Sequence, residues 1–231
     1  MPLEHLDWIG RYIADKRPDV IVQIGDFADM PSLSSYDRGK KEFEGRRYKA
    51  DIAAAREAMR RLCEPFRKIK RYRPKMVLTL GNHEDRISRA ISEDAKLDGT
   101  IGLEDLGYEA WGWEVVPFLE PVIIDGIMYL HYLPTGVKGN PATSASALVN
   151  KAHMSVTVGH IQTTDICFKH RASGERIIGL MAGAAYLHDE DYLPAVQNAA
   201  TARQIVMKHE VWNGNYDPMF VSLEYLRRKY S

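Results

Sequence analysis

Cysteine and long apolar runs are both scarce in this chain of 231 residues. The two cysteines, Cys63 and Cys167, lie far apart in apolar settings, which favours reduced core thiols over a disulfide framework. The N-terminus contains neither the apolar core of a signal peptide nor a run long enough to span a membrane. Together these absences predict a soluble, cytoplasmic protein that does not associate with membranes.

The chain also lacks an excess of charge of either sign. Basic residues (Lys and Arg) and acidic residues (Asp and Glu) number 31 each, so the overall composition points neither to nucleic acid nor to an acidic partner. No internal repeat, low-complexity tract or linker divides the sequence. We therefore expect residues 1–231 to form a single domain with a core of ordinary size.

Hydrophobic spacing in the first part of the chain predicts an α/β fold. A helix over 3–16 precedes a short buried strand over 20–24, and a helix over 50–69 then leads to a second strand over 76–80. This order is that of a right-handed β-α-β unit. Pro65 is expected to kink or end the second helix.

The second half of the chain is predicted to be mainly β. Turn signals predict three hairpins, at Asp125-Gly126, Ser173-Gly174 and Asn213-Gly214. The last of them is expected to join strands over 204–212 and 219–226. The second strand of the first hairpin ends at His131, and a further apolar run, over 155–159, ends directly at His160.

Side chains suited to metal binding follow four of the predicted strands. Asp26 and Asp29 come after the first strand, Asn82 and His83 after the second, and His131 and His160 after later ones. Because the carboxyl ends of strands meet at one edge of an α/β sheet, we expect these side chains to lie close together. Two imidazoles, a carboxylate and an amide carbonyl form a plausible ligand set for Mn²⁺, Fe or Zn²⁺.

Each of these residues also has an ordinary structural interpretation. Asn82 can be the N-cap of a helix, with Glu84 and Asp85 favouring the helix dipole. A solvated aspartate after a strand is common, and a histidine at a strand end is more often a hydrogen-bonded core or surface residue. The joint placement at four strand ends favours the metal site.

The polar residues fall into motifs that follow one another from about residue 20 to 165. They are Gly25-Asp26-x-x-Asp29, Gly81-Asn82-His83-Glu84, the apolar run into His131, and Gly159-His160-x-Gln162. In these motifs and their order the chain resembles the calcineurin-like metallophosphoesterase family. The resemblance implies a four-layer α/β/β/α sandwich with a two-metal site at the strand ends, which hydrolyses phosphate esters by metal-activated water.

The resemblance also implies a role for each matched residue. The implied metal ligands are Asp26, which would bridge two metals, and Asn82, His131 and His160, which would complete the second metal site. His83 would stabilise or protonate the leaving oxygen, and Asp29 would orient it.

The chain departs from the family pattern at the first metal. No strand ending in Asp-x-His precedes the opening helix, and Gln162 stands where the family's second histidine would bind that metal. Two explanations stay open: an N-terminal strand is missing, which would leave a sheet neighbour to be replaced by another segment or subunit, or this lineage binds the first metal weakly or not at all. Only one metal therefore has a complete expected ligand set.

Two features of the sequence are candidates for phosphate binding, and each has an alternative interpretation. Met30 stands where related phosphatases carry an arginine, and Arg86 is a candidate substitute, with a solvated helix residue as the alternative. The polar stretch 31–49 is either a solvated surface loop or a phosphate-steering patch for nucleic acid. Its basic candidates are Arg38, Lys40, Lys41, Arg46 and Arg47.

The sequence thus predicts a metal-dependent hydrolase of phosphate esters, with phosphodiesters and nucleic acid as expected substrates. The alternative is a catalytically impaired protein that keeps the fold and binds metal or nucleic acid, and the missing Asp-x-His together with Gln162 motivates it. Either protein could form an oligomer. Among the histidines outside the motifs, His188 is the best candidate for a site role.

Overall fold

The structure is a computed structural model that describes residues 2–35, 43–189 and 194–231. In this part of the chain the α-helices are α1 (Glu4–Lys16), α2 (Tyr48–Arg67), α3 (Arg86–Glu93), α4 (Ala145–Ala152), α5 (Ala195–Ala200) and α6 (Leu223–Tyr230). The strands are β1 (Val20–Gln23), β2 (Lys75–Thr79), β3 (Glu114–Val116), β4 (Val122–Ile124), β5 (Ile127–Leu130), β6 (Pro134–Thr135), β7 (Asn140–Pro141), β8 (Ser155–Val158), β9 (Thr164–His170), β10 (Arg176–Ala182), β11 (Gln204–Trp212) and β12 (Asn215–Ser222). None of the described helices is both long and apolar enough to cross a membrane.

The first sheet contains three parallel strands in the order β1-β2-β3, and α2 forms the crossover from β1 to β2. Successive side chains of a strand point to opposite faces of its sheet. On β2, Met76 and Leu78 accordingly pack in a core with α1 and α2, whereas Val77 packs in a second core on the other face. The predicted β-α-β unit is confirmed, and it brings the ends of β1 and β2 to the same edge of the sheet.

The second sheet is mixed, with the order β4-β5-β8-β10-β9. Its middle strands β5, β8 and β10 are parallel, and β4 and β9 pair antiparallel at the two edges. Val156 and Val158 pack with α4 on one face, while Ile127 and Ile178 on the other face share a core with Val77 of the first sheet. A common core therefore lies between the two sheets.

The structure confirms the mixed α/β class and all three predicted hairpins: β4-β5, β9-β10 and β11-β12. The predicted strand over 219–226 is wrong in its bounds. Pairing resumes directly after the tight Asn213-Gly214 turn, where Trp212 lies opposite Asn215, so β12 begins and ends earlier. Ser222 then caps α6 by accepting a hydrogen bond from the Tyr225 N–H at 3.1 Å.

Pro65 does not end α2, which continues to Arg67. Its ring lies against α1 at Gly10, where a Cβ would lie 2.9 Å from the Pro65 ring and 2.4 Å from the Leu62 carbonyl oxygen, so this close approach of the two helices requires glycine at position 10. The predicted reduced thiols are confirmed, since neither cysteine forms a disulfide.

Candidate metal centre

Four predicted ligands, one from each of four strand ends, converge at the carboxyl edge of the two sheets. Asn82 Oδ1 lies 2.9 Å from His131 Nε2 and 2.9 Å from His160 Nδ1. The two imidazole nitrogens are 3.2 Å apart, and His131 Nε2 also lies 3.2 Å from Asp26 Oδ2. Within the described ranges, Asp26, His131 and His160 form the one group of at least three acidic, His or Cys residues whose ligand atoms all lie within 4.8 Å of one another.

This spacing fits a divalent transition metal. Donors that share one ion at about 2.1 Å lie roughly 3.0–3.4 Å from one another in octahedral or tetrahedral arrangements. The set consists of a carboxylate oxygen, an amide oxygen and two imidazole nitrogens, all of which bind zinc, manganese or iron. The four residues are therefore compatible with one shared ion.

The His131 ring is oriented for this role by the first strand. Its Nδ1 lies 2.8 Å from the carbonyl oxygen of Ile24, which can only accept, so Nδ1 carries a proton and Nε2 faces the cluster. Burial alone would lower the pKa of His131, but the hydrogen bond to Asp26 and the charge of Asp26 outweigh it and raise that pKa. The pKa of His160 is lowered, by burial first and then by the charge of His131.

The carboxyl of Asp26 is held ionised by its imidazole neighbours. Burial would raise its pKa, but the hydrogen bond and charge of His131 and the charge of His83 bring the pKa well below the ordinary value. The Asp26 side chain also accepts a hydrogen bond from the His83 main-chain N–H at 3.0 Å. A deprotonated carboxylate is the form that binds a metal ion.

Unusual backbone geometry accompanies the close approach of these groups. Asp26 and His160 both have left-handed backbones, with φ of 56° and 59°. A Cβ on Gly25 would lie 2.4 Å from His131 Nδ1, and one on Gly81 would lie 2.1 Å from Asp26 Oδ1. Glycine is therefore needed at positions 25 and 81 for the loops and side chains to meet. Left-handed non-glycine residues such as Asp26 and His160 cluster at functional sites.

His83 and Asp29 form a pair beside the cluster. His83 Nδ1 lies 2.6 Å from Asp29 Oδ1, and His83 Nε2 faces Asp26 Oδ2 at 4.0 Å. Burial would lower the pKa of His83, but the hydrogen bond to Asp29 and the charge of Asp26 raise it above the ordinary value. The pKa of Asp29 is lowered, because the hydrogen bond and charge of His83 outweigh burial. The pair thus favours the protonated form of the imidazole that faces the cluster.

Arg86 is anchored to the loop after β1. Its Nη1 donates to the carbonyl oxygen of Asp29 at 2.6 Å and lies 3.4 Å from the carbonyl oxygen of Met30. The side chain is only 13% exposed, so its interpretation as a solvated helix residue is wrong. Met30 itself is buried, at 1% exposure. Phosphate binding by Arg86 stays a prediction.

Glu84 is the residue of this region whose place the sequence does not reveal. We expected Glu84 at the start of a helix. Its side chain is instead fully buried and surrounded by hydrogen-bond donors. Helix α3 begins only at Arg86, so the interpretation of Asn82 as its N-cap is also wrong. Burial, and then the charge of Asp26, raise the pKa of Glu84.

The other predicted residues have no contact with the four candidate ligands among the interactions that the described part of the chain shows, or they lie outside that part. Gln162 is half-buried, and its main-chain carbonyl accepts a hydrogen bond from the Ala202 N–H at 2.9 Å. His188 stacks on the Tyr186 ring, with ring centroids 4.4 Å apart. The predicted phosphate contacts Arg38, Lys40 and Lys41 lie outside the described residues.

The two remaining arginines of the basic stretch differ in their surroundings. The Arg46 guanidinium donates to the Pro31 carbonyl oxygen at 3.0 Å and lies 5.8 Å from the Phe43 ring centroid. Arg47 is exposed, and its Nη1 donates to the carbonyl oxygen of Arg46. Arg47 is therefore the more accessible of the two for a phosphate group.

Comparison with known proteins yields one partial similarity. No protein-family profile matches the chain, and no solved structure matches it. Over 75 residues it is 39% identical to the "Gene 54 protein" of Mycobacterium phage L5, a name that states no activity. The matched stretch covers 32% of this chain and 28% of the phage protein. The chain is thus similar to part of that protein, over less than a third of either.

Proposed function

We propose that this protein is a metal-dependent phosphoesterase of the calcineurin-like type. The observation that carries the proposal is the convergence of Asp26, Asn82, His131 and His160 from four separate strand ends. Asn82, His131 and His160 have donor atoms 2.9–3.2 Å from one another, and Asp26 lies 3.2 Å from His131. A hydrogen-bonded His83–Asp29 pair faces the same point. A metal-binding cluster beside an oriented imidazole is the arrangement that phosphoester hydrolysis requires.

The packing of the sheets supports the same assignment at the level of the fold. Helices α1 and α2 cover the outer face of the first sheet, α4 covers that of the second, and the inner faces share one core. This order of layers agrees with the α/β/β/α sandwich that the resemblance implies. We therefore propose the α/β/β/α sandwich as the architecture of this protein.

The chain's own residues have separate roles in this proposal. A divalent ion held by Asp26, Asn82, His131 and His160 would supply Lewis-acid chemistry, which polarises phosphoryl oxygens and lowers the pKa of water. His83 gives its Nε2 proton to the leaving oxygen, because Asp29 fixes the opposite ring nitrogen and raises the pKa. General acids of this kind contribute roughly 10²–10⁴-fold to a rate.

Arg86 contributes through the loop that carries Asp29. Its contacts with the carbonyl oxygens of Asp29 and Met30 hold this segment against α3.

We propose phosphodiesters as the substrate class, with nucleic acid bound through the basic stretch. Its candidate phosphate contacts remain Arg38, Lys40, Lys41, Arg46 and Arg47.

Hydrolysis of bis(4-nitrophenyl) phosphate with Mn²⁺ tests the proposal. Wild-type protein should release 4-nitrophenol, and Asp26→Asn should abolish the release. His209→Ala is the matched control, because His209 is exposed on β11 and belongs to no part of the candidate centre. Equal rates for wild type and Asp26→Asn would contradict the assignment.

A second candidate function is metal binding without catalysis. The observation in its favour is that the described residues contain one cluster of at least three acidic, His or Cys ligands, whereas two-metal hydrolysis places a second ion about 3.5–4 Å away. Metal content measured together with turnover separates the two functions. Two ions per chain with turnover would reject the non-catalytic function, and one ion without turnover of any phosphoester would favour it.

A further inference from the structure

Four hydrogen-bond donors surround the carboxylate of Glu84, which is 0% exposed. Its Oε2 accepts from the main-chain N–H groups of Asp26 at 3.0 Å and Gly81 at 2.9 Å. Its Oε1 accepts from the Ala28 N–H at 2.8 Å and from the Tyr108 hydroxyl at 3.3 Å. Each carboxylate oxygen has two acceptor sites, so these four bonds use the full accepting capacity of the group.

The donors belong to three segments that are distant in the chain. Gly81 follows β2, Asp26 and Ala28 lie in the loop after β1, and Tyr108 lies between α3 and β3. Tyr108 is itself buried, at 2% exposure. Glu84 therefore joins the loops that carry two of the candidate ligands, Asp26 and Asn82.

Asp26 is fixed through both its main chain and its side chain. Its left-handed backbone directs the N–H to Glu84, while its carboxylate lies 3.2 Å from His131 Nε2. A left-handed backbone is unfavourable for a residue with a Cβ, so it persists only where surrounding contacts hold it. The bond from the Asp26 N–H to Glu84 is one of those contacts.

We propose that Glu84 is a positioning residue of the metal centre, acting through the main chain of Asp26 and Ala28 to aim the Asp26 carboxylate at His131 and His160. Glu84 is not a ligand in this arrangement. The inference rests on the proposed metal site but not on hydrolysis. Partners that orient metal ligands in this way typically account for about 10–100-fold in metal affinity.

Glu84→Gln is the sharpest substitution, since it keeps the shape of the side chain but turns one acceptor into a donor. The Tyr108 hydroxyl can reverse and accept from the new amide group, whereas the Ala28 N–H cannot. We therefore expect the hydrogen bond to Ala28 to be lost, while the amide oxygen keeps the bonds to Asp26 and Gly81.

Two measurements on the same variants test the inference. In calorimetric titration with Zn²⁺ or Mn²⁺, Glu84→Gln should bind about 10–100-fold more weakly than wild type. In metal-free protein, amide hydrogen exchange should accelerate at Ala28 and stay unchanged in β2 and β8. Asp85→Asn is the control, because Asp85 pairs with Arg89 at 3.2 Å, and it should match wild type in both measurements.

If Glu84 had only a general structural role, metal affinity and amide exchange would change in a different way. Loss of amide protection spread evenly through β2 and β8, or unchanged metal affinity in Glu84→Gln, would overturn the inference. If Glu84→Gln does not fold, Tyr108→Phe takes its place, since it removes one donor and keeps the ring. It should lower metal affinity several-fold and accelerate exchange at Ala28, and unchanged values for both would overturn the inference.

The outcomes also separate this inference from the proposed function. Wild-type protein that binds metal without hydrolysing any phosphoester contradicts the hydrolase alone. Wild-type protein that binds neither Zn²⁺ nor Mn²⁺ overturns both.

Discussion

Two buried histidines in different regions, His5 in the core and His131 in the candidate metal centre, differ in what surrounds their rings. His5 lies on α1 at 6% exposure, and its Nδ1 has no hydrogen-bond partner among the described residues. Burial lowers its pKa to about 4. His131 is buried at least as deeply, at 1% exposure, yet its pKa is raised, because both ring nitrogens have partners and one of these is the Asp26 carboxylate.

Burial by itself favours the neutral form of an imidazole, as at His5. A buried imidazole whose pKa rises needs polar partners placed around it, and those of His131 come from the ends of β1, β2 and β8. Such a concentration of partners is a mark of functional sites. Depth of burial therefore does not separate the two histidines, but the surrounding donors and acceptors do.

The largest expected effect comes from removing the carboxylate that faces His131. Asp26→Asn should weaken Mn²⁺ binding at least about 100-fold and hydrolysis at least about 1000-fold, which corresponds to about 4 kcal/mol. The reason is the loss of a charged ligand that the neutral amide does not replace. Calorimetric titration and steady-state kinetics measure the two effects. His5→Phe is the control and should change neither; a matching loss in this variant would remove the contrast between the two regions.

The next largest effect is expected at the neighbouring pair. His83→Ala should lower kcat by roughly 10²–10⁴-fold, with metal affinity unchanged, because its ring faces the centre without being one of the four candidate ligands. Asp29→Asn should produce a smaller fall in kcat, since the imidazole stays in place but loses its orienting carboxylate. A loss of metal affinity equal to that of Asp26→Asn would place His83 among the ligands and contradict this division of roles.

A third prediction concerns the stability of the His5 region. The pKa of His5 falls from 6.5 to about 4 on folding, so between these pH values the unfolded chain binds a proton that the folded chain does not. The contribution of His5 to the free energy of unfolding is therefore fully present above about pH 6.5. It is lost as the pH drops towards 4, by about 3 kcal/mol in total. Urea unfolding of wild type and His5→Phe measures this contribution. The difference between their free energies of unfolding should change by about 3 kcal/mol between pH 6.5 and pH 4. A constant difference from pH 7 to 4 would show that His5 does not titrate as its burial requires.

The smallest effect is expected at Arg47 in the basic stretch. If Arg47 contacts one phosphate, Arg47→Gln should reduce the slope of log K against log salt by about 0.7–0.9 for nucleic acid. Arg46→Gln is the structural comparison, because Arg46 is bonded to the Pro31 carbonyl oxygen. Fluorescence anisotropy with a short oligonucleotide measures the slope. Binding that does not depend on salt would remove nucleic acid from the proposal.

Much of the fold could be predicted from local pattern. Apolar periodicity predicted α1, α2, β1 and β2, and the turn dipeptides predicted all three hairpins. The same kind of pattern failed at residues 223–226, which were predicted as strand although Leu223 and Leu226 are three residues apart, a spacing that shares one face of a helix but not of a strand. The Ser222 cap and the early end of β12 decide for the helix.

The candidate ligands could be predicted because each one directly follows a strand or a glycine turn. Glu84 could not, because its partners Ala28 and Tyr108 lie 56 and 24 residues away along the chain. The anchoring of Arg86 to Asp29, 57 residues away, was invisible for the same reason. Local sequence indicates which chemistry a segment carries, whereas contacts between distant segments decide which polar groups become buried.

The central claim is that Asp26, Asn82, His131 and His160 bind one shared ion. Crystals soaked in Zn²⁺ and measured at the zinc absorption edge test this most directly. We predict one anomalous peak among these four side chains, with Zn–N and Zn–O distances of roughly 2.0–2.2 Å. A crystal in which zinc binds elsewhere, while these four side chains keep their mutual contacts with no peak between them, would contradict the account.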